Sequence, residues 1–182
     1  PLALGSQTAG SVIRPAAFCG VVGYKPSFGL ISRVGVKALS DTLDTIGTIA
    51  RTVPDAALFA AAVTGRSDLL VEKPLSTKPR VGICRTYEWK QAQPETVAAF
   101  EHAEKKLAAA GATVKEIKLP PTYASLVQAQ TDIQLVEQAQ SLAHERLTHS
   151  PRLSERLRVI LEAGLKVSPA RYDAAQPLAR NC

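Results

Sequence analysis

The sequence predicts an α/β fold. Three observations point to it. Residues 80–119 read as strand, helix, strand; short apolar strand candidates stand near the start of the chain; and helical periodicity runs through its last third. The 182 residues are enough for one domain with a sizeable core. With 46% hydrophobic and 21% charged residues, the composition is that of an ordinary globular protein.

Taken in order, Leu2 to Leu4 is a short apolar strand that runs into a turn of small residues. Val21 to Tyr24 is a second strand, bracketed by Gly20, Gly23 and Pro26. Residues 26–48 read as loop, punctuated by Gly29, Gly35 and Gly47. Pro54 to Val63 predicts a short helix, because Pro54 suits the first turn, Asp55 the positive end, and Gly65 the stop. Arg80 to Cys84 is a strand, and Glu95 to Ala110 an amphipathic helix with Val97, Phe100, Ala103 and Leu107 on one face and Gly111 after it. Thr113 to Leu119 is the next strand. A strand–helix–strand unit of this kind implies parallel strands joined by a right-handed crossover. Pro120-Pro121 breaks the chain. A long helix is expected from about Tyr123 to Leu147, with apolar positions at Leu126, Ile133, Val136, Ala139 and Leu142. Ser150-Pro151 and Ser168-Pro169 each read as an N-cap followed by proline at the first helical position.

The run from Gly5 to Gly29 carries the chemistry. Ser11 follows the small-residue turn Thr8-Ala9-Gly10 and precedes a rigid, largely apolar segment. Such a place suits an exposed nucleophile beside free backbone N–H groups. Small side chains let a substrate carbonyl approach the main chain, and N–H groups aimed at one point stabilise the oxyanion of acyl transfer.

On the residues Gly5, Thr8, Gly10, Ser11, Pro15, Ala16, Phe18, Cys19, Gly20, Val21, Val22, Gly23, Lys25, Pro26 and Gly29, this run resembles the core stretch of the amidase signature family. That family reads Gly-Thr-Asp-Thr-Gly-Gly-Ser-Ile-Arg-x-Pro-Ala and then Phe-Cys-Gly-Val-Val-Gly-x-Lys-Pro-Thr-x-Gly. A second block, Leu43 to Gly47 and Ile49 to Val53, is similar to its Ser-Leu-Asp-x-x-Gly-Pro-Met-Ala-Arg-Thr-Val. The chain departs from the pattern at Gln7 (Asp in the family), Ala9 (Gly), Arg14 (one place late) and Thr48 (Pro).

The resemblance implies a mixed β-sheet core covered by helices on both sides. It implies an amide hydrolase with a Ser–cis-Ser–Lys triad, in which Ser11 is the nucleophile and the backbone of Thr8, Ala9, Gly10 and Ser11 forms the oxyanion hole. It marks Asp44 and Arg51 as supporting scaffold. A buried Asp44 would hold backbone N–H groups in place, and a plain Asx-turn is the simpler alternative. The lysine and second serine of the family lie upstream, and the chain opens only ten residues before Ser11. Lys25 matches a different family position. The expectation is therefore a partial amidase domain over 1–182, with a signature core at 1–65, the βαβ unit at 79–119 and a helical segment at 122–182. The absence of Met, the opening Pro1 and an end inside a helical pattern agree with that expectation.

Other readings are weaker. The net charge of +6 is spread among acids, as at Glu101, Glu104, Lys105 and Lys106, which reads as a solvated surface and not as a nucleic-acid face. The longest apolar run, Asp55 to Val63, is too short to span a bilayer. The three cysteines fit neither a metal site nor a disulfide framework, Cys19 reads as a buried thiol, and a reducing cytoplasm is expected. His102, His144 and His149 read as solvated helix-surface residues. No metal or cofactor is implied, and the expected partner is a small-molecule amide, with a homo-oligomer left open. Two alternatives stay in view: the amidase component of a tRNA-dependent amidotransferase, and a non-catalytic structural or binding domain.

Overall fold

β-branched residues at Thr45, Ile46, Thr48 and Ile49 build the strand around which the opening segment is organised. A computed structural model describes residues 1–72 and 75–181. In it, β1 (Leu2–Gln7) and β2 (Val22–Tyr24) flank β3 (Thr45–Ala50), both antiparallel, in the order β1-β3-β2. The ladder runs from Leu2 opposite Ala50 to Gln7 opposite Thr45. The loop expected over 26–48 therefore ends at Asp44. Gly47 interrupts an otherwise β-branched run and hides the strand signal. That glycine is required, because a Cβ on it would lie 2.5 Å from the Tyr24 carbonyl oxygen and 3.1 Å from Val12.

Between β1 and β2 the chain forms α1 (Ile13–Phe18), a short helix absent from the sequence expectation. Pro15 falls in its first turn, where a missing N–H costs nothing. Val12 and Ala16, four residues apart, bury their side chains, and a Cβ on Gly23 would sit 2.8 Å from that of Ala16. Phe18 and Cys19 fall on the other side. Cys19 is exposed, which corrects the expected buried thiol; so short a helix buries only one stripe.

α2 (Val53–Thr64) starts one residue before the prediction. Thr52 caps it by accepting from the Asp55 N–H at 3.2 Å, and Gly65 ends it at φ 71°. Thr48, fully buried, donates its hydroxyl to the Ala56 carbonyl at 3.1 Å and ties β3 to α2.

The first 72 residues and the segment from Val127 onward form one compact unit. The expected long helix divides into a 3-10 turn (Pro121–Ser125), α4 (Leu126–Ser141) and α5 (Ala143–Thr148). Ser150-Pro151 opens only a single 3-10 turn, Ser150–Arg152. The backbone is extended at Leu153, and α6 (Glu155–Lys166) begins under Ser154, whose hydroxyl accepts from Leu157 N–H. Ser168 behaves as predicted: α7 (Pro169–Asn181) follows it, and its hydroxyl accepts from Arg171 N–H at 3.3 Å. Ala129, Ile133 and Ala175 form a buried cluster with Leu43 and Tyr172 against it. Gly164 lets α6 lie directly on α4, since a Cβ there would fall 2.1 Å from the Leu135 carbonyl oxygen. Arg171 bridges α7 to the buried Asp132 of α4 at 2.6 Å.

The stretch between is a second compact unit. β4 (Arg80–Cys84) pairs in parallel with β5 (Thr113–Ile117), joined through α3 (Pro94–Ala109), with Gly111 at φ 89° after the helix. This is the predicted βαβ unit. Trp89 packs edge-on to Phe100 at 4.9 Å between ring centres. Antiparallel and parallel pairing are thus both present, in a three-stranded and a two-stranded sheet.

Candidate active site

The turn that bears Ser11 begins where the β1–β3 ladder stops, at the Gln7–Thr45 pair. Thr8 to Gly10 bend away from the sheet, and Ser11 is exposed at the entry to α1. A helix start leaves backbone N–H groups without partners. Here Gln7 takes them: its Oε1 accepts from Val12 N–H at 2.9 Å and Ile13 N–H at 3.1 Å. Its Nε2 donates to the Ala9 carbonyl at 2.8 Å. Gln7, only 4% exposed, thereby fixes both ends of the turn. It stands where the family pattern has Asp, so the resemblance marked it only as a departure. The available signal was a polar residue closing a strand just before a helix that needs acceptors.

With the helix-start donors occupied by Gln7, the backbone N–H groups of Ala9, Gly10 and Ser11 have no protein partner among the described residues. No described residue other than glycine has a positive φ, so Ala9 replaces a glycine without backbone strain. Gly10 also avoids positive φ, and a Cβ there would meet only Arg14, at 3.8 Å. Neither the backbone nor a neighbour demands glycine at this place; it leaves open space beside the turn.

Asp44 secures the other side. It is 4% exposed; one oxygen accepts the Thr8 hydroxyl at 2.5 Å, and the other accepts the N–H groups of Leu39 at 2.6 Å and Ser40 at 3.1 Å. Asp44 thus gathers N–H groups four and five residues before it, and is not the Asx-turn, which would take the N–H two residues on. Arg51 is exposed and has no partner among the described residues, so it is not brought to the turn.

Sequence reasoning missed Glu137 of α4. It is 5% exposed and accepts four hydrogen bonds, all from neutral donors: Ser40 hydroxyl (2.5 Å), Thr42 N–H (3.0 Å), Thr42 hydroxyl (2.7 Å) and Tyr172 hydroxyl (2.9 Å). Burial alone would raise its pKa; the donors from Ser40, Thr42 and Tyr172 outweigh it and hold the carboxyl below the ordinary glutamate value. Burial, with donation to Glu137, moves the Tyr172 hydroxyl the opposite way, upward.

Among the described residues no base is hydrogen-bonded to the Ser11 hydroxyl. Lys25 donates to the Pro26 carbonyl at 2.6 Å, and the three histidines are exposed. No group of three or more His, Cys, Asp or Glu among the described residues is placed to hold a metal, and no described helix is long and apolar enough to cross a membrane.

The chain is 44% identical over 140 residues to a glutamyl-tRNA(Gln) amidotransferase subunit of Thermosynechococcus vestitus, covering 66% of this chain and 29% of that one. It is 36% identical over 154 residues to the corresponding subunit of Fusobacterium nucleatum, covering 74% and 32%. The chain thus spans about a third of the length of these relatives. Among solved structures, an amidase superposes with a TM-score of 0.88 at 28% identity over 99% of this chain and 40% of its own. The peptide amidase of Stenotrophomonas maltophilia superposes with a TM-score of 0.72 at 28% identity, over 99% and 44%. The amidase family model matches residues 1–170, and the chain belongs to the amidase family.

Proposed function

We propose that this chain carries the nucleophile and oxyanion hole of an amide hydrolase that cleaves linear carboxamides. The observation that carries the reading is the turn itself: an exposed Ser11 beside N–H groups of Ala9, Gly10 and Ser11 that no group among the described residues uses. The Ser11 oxygen attacks the amide carbonyl carbon, and the carbonyl oxygen becomes an oxyanion held by N–H groups of the turn from Thr8 to Ser11. The C–N bond then breaks, the amine or ammonia leaves with a proton, and water hydrolyses the acyl-enzyme. A serine hydroxyl needs a base. The resemblance implies that an upstream lysine acting through a second serine supplies it in the intact protein.

A second reading has its own support, because the curated relatives described above are amidotransferase subunits. In that case the amide is a donor whose ammonia is passed on to a partner protein. One experiment addresses both. Ammonia or amine release is measured for the intact protein on a panel of linear amides, alone and with candidate partner proteins. Hydrolysis by the protein alone, reduced at least about 1,000-fold by Ser11→Ala, is the expected outcome. Release only in the presence of partners favours the second reading. A Ser11→Ala variant keeping a tenth of wild-type turnover overturns both.

A further inference from the structure

The four hydrogen bonds converging on Glu137 end a chain of contacts that begins at the catalytic turn. Thr8, three residues before Ser11, gives its hydroxyl to Asp44. The other Asp44 oxygen is held by the Leu39 and Ser40 N–H groups. The Ser40 hydroxyl passes the chain to Glu137, and Tyr172 of α7 closes it from the far side, itself accepting from Gln176 at 2.6 Å. Every side chain from Asp44 to Glu137 on this path is at least nine-tenths buried: Asp44 at 4%, Ser40 at 0% and Glu137 at 5% exposure.

We propose that Glu137 is a positioning residue for the Ser11 turn, acting through Ser40, Asp44 and Thr8; the proposal rests on the role of Ser11 given above. The physical argument concerns what fixes the loop from Leu39 to Asp44. That loop has no strand ladder and no helix of its own. Asp44 adjoins the β3 ladder and reaches from there to Thr8 and to the Leu39 and Ser40 N–H groups, but the ladder does not extend to the Ser40 hydroxyl or to Thr42. Glu137 holds both. It grips Ser40 through its side chain and Thr42 through both side chain and backbone, so two points of the loop are anchored to one rigid helix. A buried carboxylate with neutral donors has strong, short and directional bonds, and leaving it unpartnered would be costly. Neighbouring carboxylates have no such reach: Asp132, five residues earlier on α4, pairs with Arg171. An oxyanion hole gains its effect from donors held in place before the reaction, so play in Thr8 weakens stabilisation of the transition state more than substrate binding.

The test is a kinetic double-mutant cycle in the intact protein with Thr8→Val and Glu137→Gln. Glu137→Gln keeps the shape and removes the charge that attracts four donors; Thr8→Val cuts the last link. Each single variant is expected to lower kcat about tenfold with KM within about twofold. The double variant is expected to fall no further than the worse single one, because both act along one path. A merely structural Glu137 would give multiplying losses, or a lower yield of active protein with unchanged turnover per reactive serine, and either overturns the proposal. Turnover is therefore normalised to the serine labelled by a fluorophosphonate. If Glu137→Gln fails to fold, Ser40→Ala replaces it in the same cycle with the same expected coupling. Ser11→Ala runs alongside: if it remains active, the assigned role of Ser11 has failed, whereas an inactive Ser11→Ala with full kcat in Glu137→Gln refutes the positioning role alone.

Discussion

At the scale of single residues, the candidate site depends on how hydrogen-bond donors are shared out. A helix start and the proposed oxyanion hole both use backbone N–H groups, and the two lie side by side in this turn. Gln7 separates the two uses by satisfying Val12 and Ile13 and leaving the Ala9 to Ser11 N–H groups without a partner among the described residues. Its amide nitrogen also restrains the Ala9 carbonyl, which a carboxylate cannot do. Gln7→Glu tests this sharing with almost no change of shape. The new carboxylate would still accept from the helix start, but it would set a charged oxygen against the Ala9 carbonyl oxygen, now 2.8 Å from the amide nitrogen. The expected result is a fall in kcat of about tenfold or more together with a lower melting temperature, since the new charge is buried and faces an oxygen. Steady-state kinetics and thermal unfolding of the intact protein check it; unchanged kcat would mean that the Ala9 contact does not shape the site.

At the scale of elements, close approach explains which parts of the fold tolerate change. Gly47→Ala would push a methyl group into the Tyr24 carbonyl and Val12 at the centre of the sheet, and is expected to destabilise the protein by about 3 kcal/mol. Gly10→Ala has only Arg14 near it, at 3.8 Å, and is expected to leave stability unchanged. Denaturant unfolding of both variants in the intact protein checks the contrast, and equal effects would contradict it. The same local physics decided what could be read from sequence. The βαβ unit was legible because its strands and its helix each carry a clean period and Gly111 marks a stop. β3 was not, because Gly47 interrupts it and its partners lie far away in the chain at β1 and β2. The helix α1 was hidden by Pro15 and by its length of six residues. Ser150-Pro151 had the features of a helix start, yet Ser154 with Glu155 behind it won that role. At the site, Ser11, Thr8 and Asp44 stood out through a motif. Glu137 did not, because its partners at Ser40 and Thr42 are 97 and 95 residues away in sequence.

At the scale of the whole molecule, the signature turn and the C-terminal helices belong to one compact unit, and the βαβ segment to another. Ser11 shares its unit with the buried carboxylates Asp44 and Glu137, so the turn is supported by helices more than 90 residues downstream. In the proposed reaction Ser11 forms a covalent acyl-enzyme. The most direct measurement is mass spectrometry of the intact protein, quenched in acid during turnover of a linear amide and digested. The expected result is an acyl adduct on the peptide that carries Ser11, formed and lost at rates compatible with kcat, and absent from Ser11→Ala. Full turnover with no adduct at Ser11, or an adduct on another residue, would contradict it.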